Sequence, residues 1–165
     1  MLAAVVAYGA NRVIGVDGGL PWHLPSDMKF FRELTTGHAV LMGRSTYESI
    51  PERFRPLPGR RNLVLSRDPS YAPAGAEVFH TLEAAVEACG GDAFVIGGGA
   101  TYEAAMAIMD RIYATEVEAS PDGDTYFPEL GPEWQLVEEH PRVVEENGGA
   151  FTIRIYDRAK AAAGG

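Results

Sequence analysis

The chain has 165 residues, of which 46% are hydrophobic and 22% charged, and a net charge of −9. That length suits one domain with a sizeable core. The negative charge argues against a general nucleic-acid binder, which must neutralise phosphates, and no apolar run is long enough to span a bilayer. A single cysteine, Cys89, excludes an intramolecular disulfide and a cysteine-based metal cluster, and suits a reducing compartment. Beside Gly90-Gly91 it reads as a small buried residue at a helix end. The apolar start, residues 1–8, has no basic leader, so no signal peptide is expected.

Residues 2–8 read as a buried strand. Residues 9–20 form a long glycine-rich loop, which in a compact domain points to a functional segment. A helix is expected over 25–35, because Pro25 at the first helical position loses no hydrogen bond. Within it Asp27, Phe31 and Leu34 follow at i, i+4 and i+7 and share one face. Phe31 and Leu34 need apolar surroundings, so Asp27 is carried into them too. A carboxylate there requires a partner or a changed protonation state, and a ligand with N–H donors would supply the partner. The helix dipole alone also favours an acidic residue in a first turn.

Further along, residues 39–42 read as a strand and 45–50 as a short helix, followed by strands at 62–66 and 77–79. A helix over 82–88 is stopped by Gly90-Gly91. Then come a strand at 93–96, a helix over 101–109 and a strand at 111–118. Residues 134–139 and 151–156 look like a final antiparallel pair, and 159–165 like a frayed low-complexity tail after a domain spanning 1–158. Alternating helices and continuous apolar strands predict a single-domain α/β fold. It has a mostly parallel central β-sheet, an antiparallel C-terminal hairpin and about four flanking helices.

In such a sheet, ligands bind beyond the carboxyl ends of the strands. Two of those ends suit phosphate. Gly43-Arg44-Ser45-Thr46 follows one strand and opens a helix, and Gly97-Gly98-Gly99-Ala100-Thr101 does the same after another. Glycines let backbone approach an anion, and helix starts offer free N–H donors. Each turn alone is equally a tight strand–helix connection; together they favour a dinucleotide, though neither carries the usual dinucleotide or P-loop fingerprint. Ser66-Arg67 ends another strand, where an arginine suits a 2′-phosphate and hence NADP. Arg53, Arg55, Arg60, Arg61 and Arg67 fall within fifteen residues. They either balance the acidic remainder on a solvated face or meet an anionic small ligand.

Six segments, in this order and spacing, resemble the bacterial monofunctional dihydrofolate reductases. They are Val13-Ile14-Gly15, Leu20-Pro21-Trp22 through Asp27 and Phe31, Met42-Gly43-Arg44-Ser45-Thr46-Tyr47-Glu48-Ser49-Ile50, Arg55-Pro56-Leu57-Pro58-Gly59-Arg60-Arg61-Asn62, Val95-Ile96-Gly97-Gly98-Gly99, and Gly123-Asp124-Thr125-Tyr126-Phe127-Pro128. The resemblance runs from about residue 2 to 158. It implies NADPH-dependent reduction of 7,8-dihydrofolate to tetrahydrofolate in one-carbon metabolism, with hydride passing to pterin C6 and a proton to N5. It further implies a cytoplasmic monomer inhibited by antifolates such as methotrexate and trimethoprim, with no metal, nucleic-acid or membrane partner.

For the site, the resemblance makes Asp27 the pocket carboxylate that accepts from pterin N3 and the 2-amino group. Trp22, through an ordered water, and Leu20 would assist it. Thr115 would bond Asp27 or the pterin amino group. The carbonyls of Val5 and Ile96 would take the remaining amino hydrogens, with Val6 beside them. Met28, Phe31, Ile50 and Leu57 would sandwich the pterin and aminobenzoyl rings, while Arg60 clamps the glutamate α-carboxylate and Arg61 points to solvent. Ala7, Ile14, Ile96 and Tyr102 would surround the nicotinamide, and Gly15, Gly18 and Leu20 belong to a loop that closes over it. Gly43, Arg44, Ser45 and Thr46 would face the cofactor phosphates together with Gly97, Gly98, Gly99, Ala100 and Thr101. Leu65, Ser66 and Arg67 would sit at the 2′-phosphate end. A cis peptide is expected between Gly97 and Gly98.

The departures from the family pattern are Ala100, where many relatives carry a longer polar or basic residue, Ser45 in place of a larger one, and Leu20 for another apolar residue. Two other readings compete: the NADPH reductase of riboflavin synthesis, and a noncatalytic NADPH- or folate-binding protein. The Trp22–Asp27–Phe31–Arg60 set argues against the first, and its retention with a gating loop argues against the second.

Overall fold

The computed structural model describes residues 1–15 and 21–159. The chain runs β1 (Leu2–Gly9), β2 (Val13–Gly15), α1 (Pro25–Thr35), β3 (Ala39–Gly43), α2 (Arg44–Ser49), a 3-10 turn over Glu52–Phe54, β4 (Arg61–Leu65), β5 (Ala76–Phe79) and α3 (Leu82–Cys89). It continues with β6 (Ala93–Gly97), α4 (Gly99–Ala105), β7 (Arg111–Val117), β8 (Thr125–Tyr126), β9 (Trp134–Glu139), β10 (Val143–Val144) and β11 (Ala150–Arg158).

The main sheet has the order β10-β11-β7-β1-β6-β3-β4-β5, with β9 also paired to β11. Strands β7, β1, β6, β3, β4 and β5 are mutually parallel, and β11 enters antiparallel to β7. The expected C-terminal pairing of β9 with β11 is present, with a bulge at Ile155/Tyr156. Helices cover both faces, which is why β3 and β6 are apolar at successive positions rather than at alternate ones. Ala3 and Val5 turn toward Phe31, Leu34 and Ile50, whereas Ala4, Val6 and Tyr8 pack with Tyr102, Met109 and Phe127 on the other face. A third cluster, Leu24, Val117, Phe151 and Ile153, receives Trp22 and Phe30. No helix among the described residues is long and apolar enough to cross a membrane.

Helix α1 has the expected limits. Helix α4 does not: it begins at Gly99, not at 101, and ends at Ala105, not at 109. Glycine's poor helix propensity argues for the later start, but Gly98 adopts an extended N-cap conformation and accepts from the Tyr102 amide at 2.9 Å. At the other end the amides of Ile108 and Met109 both turn back onto the Ala105 carbonyl. Strands β2, β8 and β10 are two or three residues each, too short to leave a periodic signal. Cys89 closes α3, half-buried, and Gly90 after it is left-handed at φ 65°. Arg12 ties the β1–β2 turn to the segment after β8. It donates to the carbonyls of Phe127 and Pro128 and lies 4.6 Å from the centre of the Tyr8 ring.

Candidate functional site

The register of the sheet sets one end of the site. Ala7 on β1 lies beside Thr115 on β7, and α1 packs across this face through Phe31 and Leu34. Asp27, one helical turn before Phe31, therefore meets β7. The Thr115 hydroxyl donates to its Oδ1 at 2.5 Å, and among the described residues no donor reaches Oδ2. Burial pushes the Asp27 carboxyl above its ordinary value; the Thr115 bond opposes that shift, and the negative charge of Glu145 adds to it. A half-covered carboxylate with acceptor positions to spare suits a ligand presenting paired N–H donors.

Phe31, Ile50, Leu57 and Ile96 form an apolar wall on the same face. Met28 points outward and is 56% exposed. Arg60 closes the outer end. Its guanidinium donates to the Pro58 carbonyl and the Thr35 hydroxyl and stands 5.8 Å from the Phe31 ring centre. Burial, then the charge of Arg32, weakens its hold on its proton. A guanidinium flanked by another cation is a natural seat for a carboxylate. Arg61 is not free in solvent: it is held by both carboxylate oxygens of Glu77, each at 2.8 Å, and by the Ala88 carbonyl.

Asn62 escaped sequence reading because it sits in a short strand. It is 2% exposed, and its side chain binds the Leu57 amide and the carbonyls of Leu57 and Arg60. It thereby sets the loop that carries both Leu57 and Arg60. The signals available were its place at the end of a family-like segment and an amide at the start of an apolar strand, where a buried amide must be bonded.

At the carboxyl ends of β3 and β6, α2 and α4 start side by side. Neither N-cap, Gly43 or Gly98, is a side-chain cap, so first-turn N–H groups remain available. A Cβ on Gly43 would lie 2.9 Å from the Thr101 hydroxyl, and one on Gly98 3.2 Å from that of Thr46. Gly97, at φ 130°, is in a region that side chains disfavour, and its bond to Gly98 is cis as expected. This donor-rich, glycine-lined seam fits a diphosphate. Ser45 and Ala100 are exposed at the two helix starts.

Arg44 at this seam donates to Glu48 at 2.8 Å and Asp68 at 3.3 Å, and its guanidinium is 4.0 Å from the Tyr71 ring centre. That places a fixed cation beside Ser66 and Arg67, which follow Leu65 at the end of β4. Tyr102 joins the two halves of the site. Its buried hydroxyl donates to the Val5 carbonyl at 2.6 Å, from α4 to β1. Ile14 is buried on the Tyr102 side and Gly15 ends β2. Ala7 and Trp22 pack around Leu24 and Ile153. The Val6 side chain is turned into the opposite core layer, leaving its backbone as its part of the strand. Gly18 and Leu20 lie outside the described residues.

A family model described as dihydrofolate reductase matches residues 1–158. The dihydrofolate reductase of Neisseria gonorrhoeae is 40% identical over 158 residues, covering 94% of this chain and 96% of that protein. That of Bacillus subtilis is 37% identical over 169 residues, covering 100% and 99%. A solved structure of Enterococcus faecalis dihydrofolate reductase, complexed with NADP(H) and RAB-propyl, superposes with a TM-score of 0.88 at 36% identity and covers 97% of each chain.

Proposed function

This chain belongs to the dihydrofolate reductase family, and from that premise we propose how its own residues carry the NADPH-dependent reduction of 7,8-dihydrofolate to tetrahydrofolate. The observation that carries the reading is the half-buried carboxylate of Asp27, tied to Thr115 on a face walled by Phe31. Tyr102 and Val5 link that pocket to the glycine-lined seam.

Asp27 accepts hydrogen bonds from the pterin N3 and 2-amino group and so fixes the ring's orientation. The Thr115 hydroxyl keeps Asp27 turned inward while its own lone pairs stay open to an amino group. The Val5 carbonyl, which accepts from the Tyr102 hydroxyl, and Ile96 border the same pocket. Phe31, Ile50 and Leu57 exclude water from the ring, and Arg60 holds the glutamate carboxylate. Negative charge on Asp27 favours a proton at N5, and Trp22 shelters the water route for that proton.

The first turns of α2 and α4, with Arg44, Ser66 and Arg67, would hold the cofactor's phosphates. Ala7, Ile14 and Tyr102 would line its nicotinamide end. NADPH, when bound, supplies the two-electron reducing equivalent for pterin C6. The family also supports a monomer, a domain spanning residues 1–158, a cytoplasmic location, and inhibition by methotrexate or trimethoprim through the Asp27 contact.

The test is loss of nicotinamide absorbance when purified protein meets NADPH and dihydrofolate, with NADH as control. The expected result is methotrexate-sensitive turnover that prefers NADPH, from a species of monomer size on gel filtration. Intact NADPH binding without turnover would overturn the reading.

A further inference from the structure

Helix α1 has a start that its own sequence does not complete. Its N-cap is Leu24, which offers no capping side chain, and its first residue, Pro25, has no N–H. The next donor, the Ser26 amide, goes to Glu145 Oε1 at 2.7 Å, and the Ser26 hydroxyl donates to Oε2 at 3.1 Å. Glu145 follows β10 and lies 119 residues away in sequence. One half-buried carboxylate thus supplies the cap that α1 lacks, with both oxygens engaged, and its charge suits the positive end of the helix.

The turn that carries Glu145 is itself closed. The Glu145 amide donates to the Gly149 carbonyl at 2.7 Å and the Gly148 amide to the Glu145 carbonyl at 2.9 Å. Asn147 donates to the His23 carbonyl at 2.9 Å. The turn also lies tight against the residue before α1, since a Cβ on Gly149 would be 2.9 Å from Leu24 Cδ2. Glu145 is therefore held against the helix start by its own loop.

We propose that Glu145 is a positioning residue for the reduction: by capping the first turn of α1 it sets the place of Asp27 against Thr115. Asp27 is the residue after Ser26, so any drift of that turn moves its carboxylate relative to the pterin. The cap also has an electrostatic side. Among the described residues, the groups that act on Asp27 are the Thr115 hydroxyl from β7 and the Glu145 carboxylate from the β10–β11 turn. The negative charge of Glu145 disfavours ionisation of Asp27. Glu145 therefore keeps Asp27 easier to protonate than burial alone would.

The inference rests on the role given to Asp27 above, and two variants separate its two components. Glu145→Gln keeps an acceptor for Ser26 and removes the charge; Glu145→Ala removes both. In Glu145→Gln, the Asp27 carboxyl carbon, followed by carbon-13 NMR in the ligand-free protein, should titrate at lower pH than in the parent. The displacement should be a few tenths of a pH unit, roughly a twofold change in its protonation constant. In Glu145→Ala the KM for dihydrofolate should rise about fivefold, the loss of a charge-assisted hydrogen bond that acts at one remove, while the KM for NADPH stays unchanged.

An Asp27 titration unmoved in Glu145→Gln, with an unchanged KM for dihydrofolate in Glu145→Ala, would overturn the inference. If Glu145→Ala does not fold, the titration in Glu145→Gln decides. Asp27→Asn is the control for the underlying reading: if it leaves turnover intact, the role of Asp27 fails; if it abolishes turnover while both Glu145 variants behave as the parent, only the inference fails.

Discussion

The Thr115 hydroxyl and the Asp27 carboxylate, 88 residues apart in sequence, meet at 2.5 Å and join α1 to β7. This bond works against the desolvation of Asp27, so it decides how much negative charge the pocket keeps. Thr115→Val removes the hydroxyl with little change of shape. It should raise the pH at which Asp27 titrates and increase the KM for dihydrofolate about tenfold, the scale of one hydrogen bond to a charged group. Titration of the carboxyl carbon and steady-state kinetics check both effects.

Asp27→Asn should lower turnover at neutral pH by at least about a hundredfold, as expected when a group acting in proton transfer is lost. The loss should shrink toward acid pH, where the substrate takes its proton from solvent. A pH profile of kcat shows whether it does.

The same substitution should stabilise the fold. The native carboxyl binds its proton more tightly than the unfolded one, whose value is 3.8. The native state therefore holds more protons, and stability falls as pH rises from the unfolded value through the raised native one. Asp27→Asn escapes that loss. Its Tm should exceed the parent's at pH 7, and the difference should fade below about pH 4. Thermal unfolding at several pH values measures it.

Arg60→Ala should raise the KM for dihydrofolate by about tenfold or more and leave that for NADPH unchanged, because Arg60 stands over Phe31 at the outer end of the face that carries Asp27. Equal effects on both would show a purely structural residue.

Asn62→Ala breaks three bonds to the Leu57–Arg60 loop. The expected cost is about 2–3 kcal/mol, or a Tm lower by roughly 5–10 °C. Because Leu57 and Arg60 move with that loop, the KM for dihydrofolate should rise too. A fall in Tm with unchanged KM would separate the loop from the site.

Local pattern was enough for the parts of this protein whose cause is local. Pro25 and the i, i+4, i+7 spacing defined α1 and put Asp27 on the face of Phe31. The glycines after β3 and β6 marked the two helix starts, because backbone freedom at a turn depends on the residue in it. Apolar runs gave a parallel sheet with an antiparallel end. Tertiary structure decided what meets what. The resemblance had already pointed to Thr115 as a partner of Asp27, whereas which carboxylate would cap α1 and which amide would hold Arg60's loop are contacts between distant segments, and no periodicity records them. Helix α4 starts early, at Gly99, because the extended Gly98 caps it by accepting from the Tyr102 amide, and Thr101 in its first turn leaves no room for a side chain at Gly43 on β3. Propensity acts one residue at a time, whereas the site was assembled by elements whose positions are set by the burial of their shared faces.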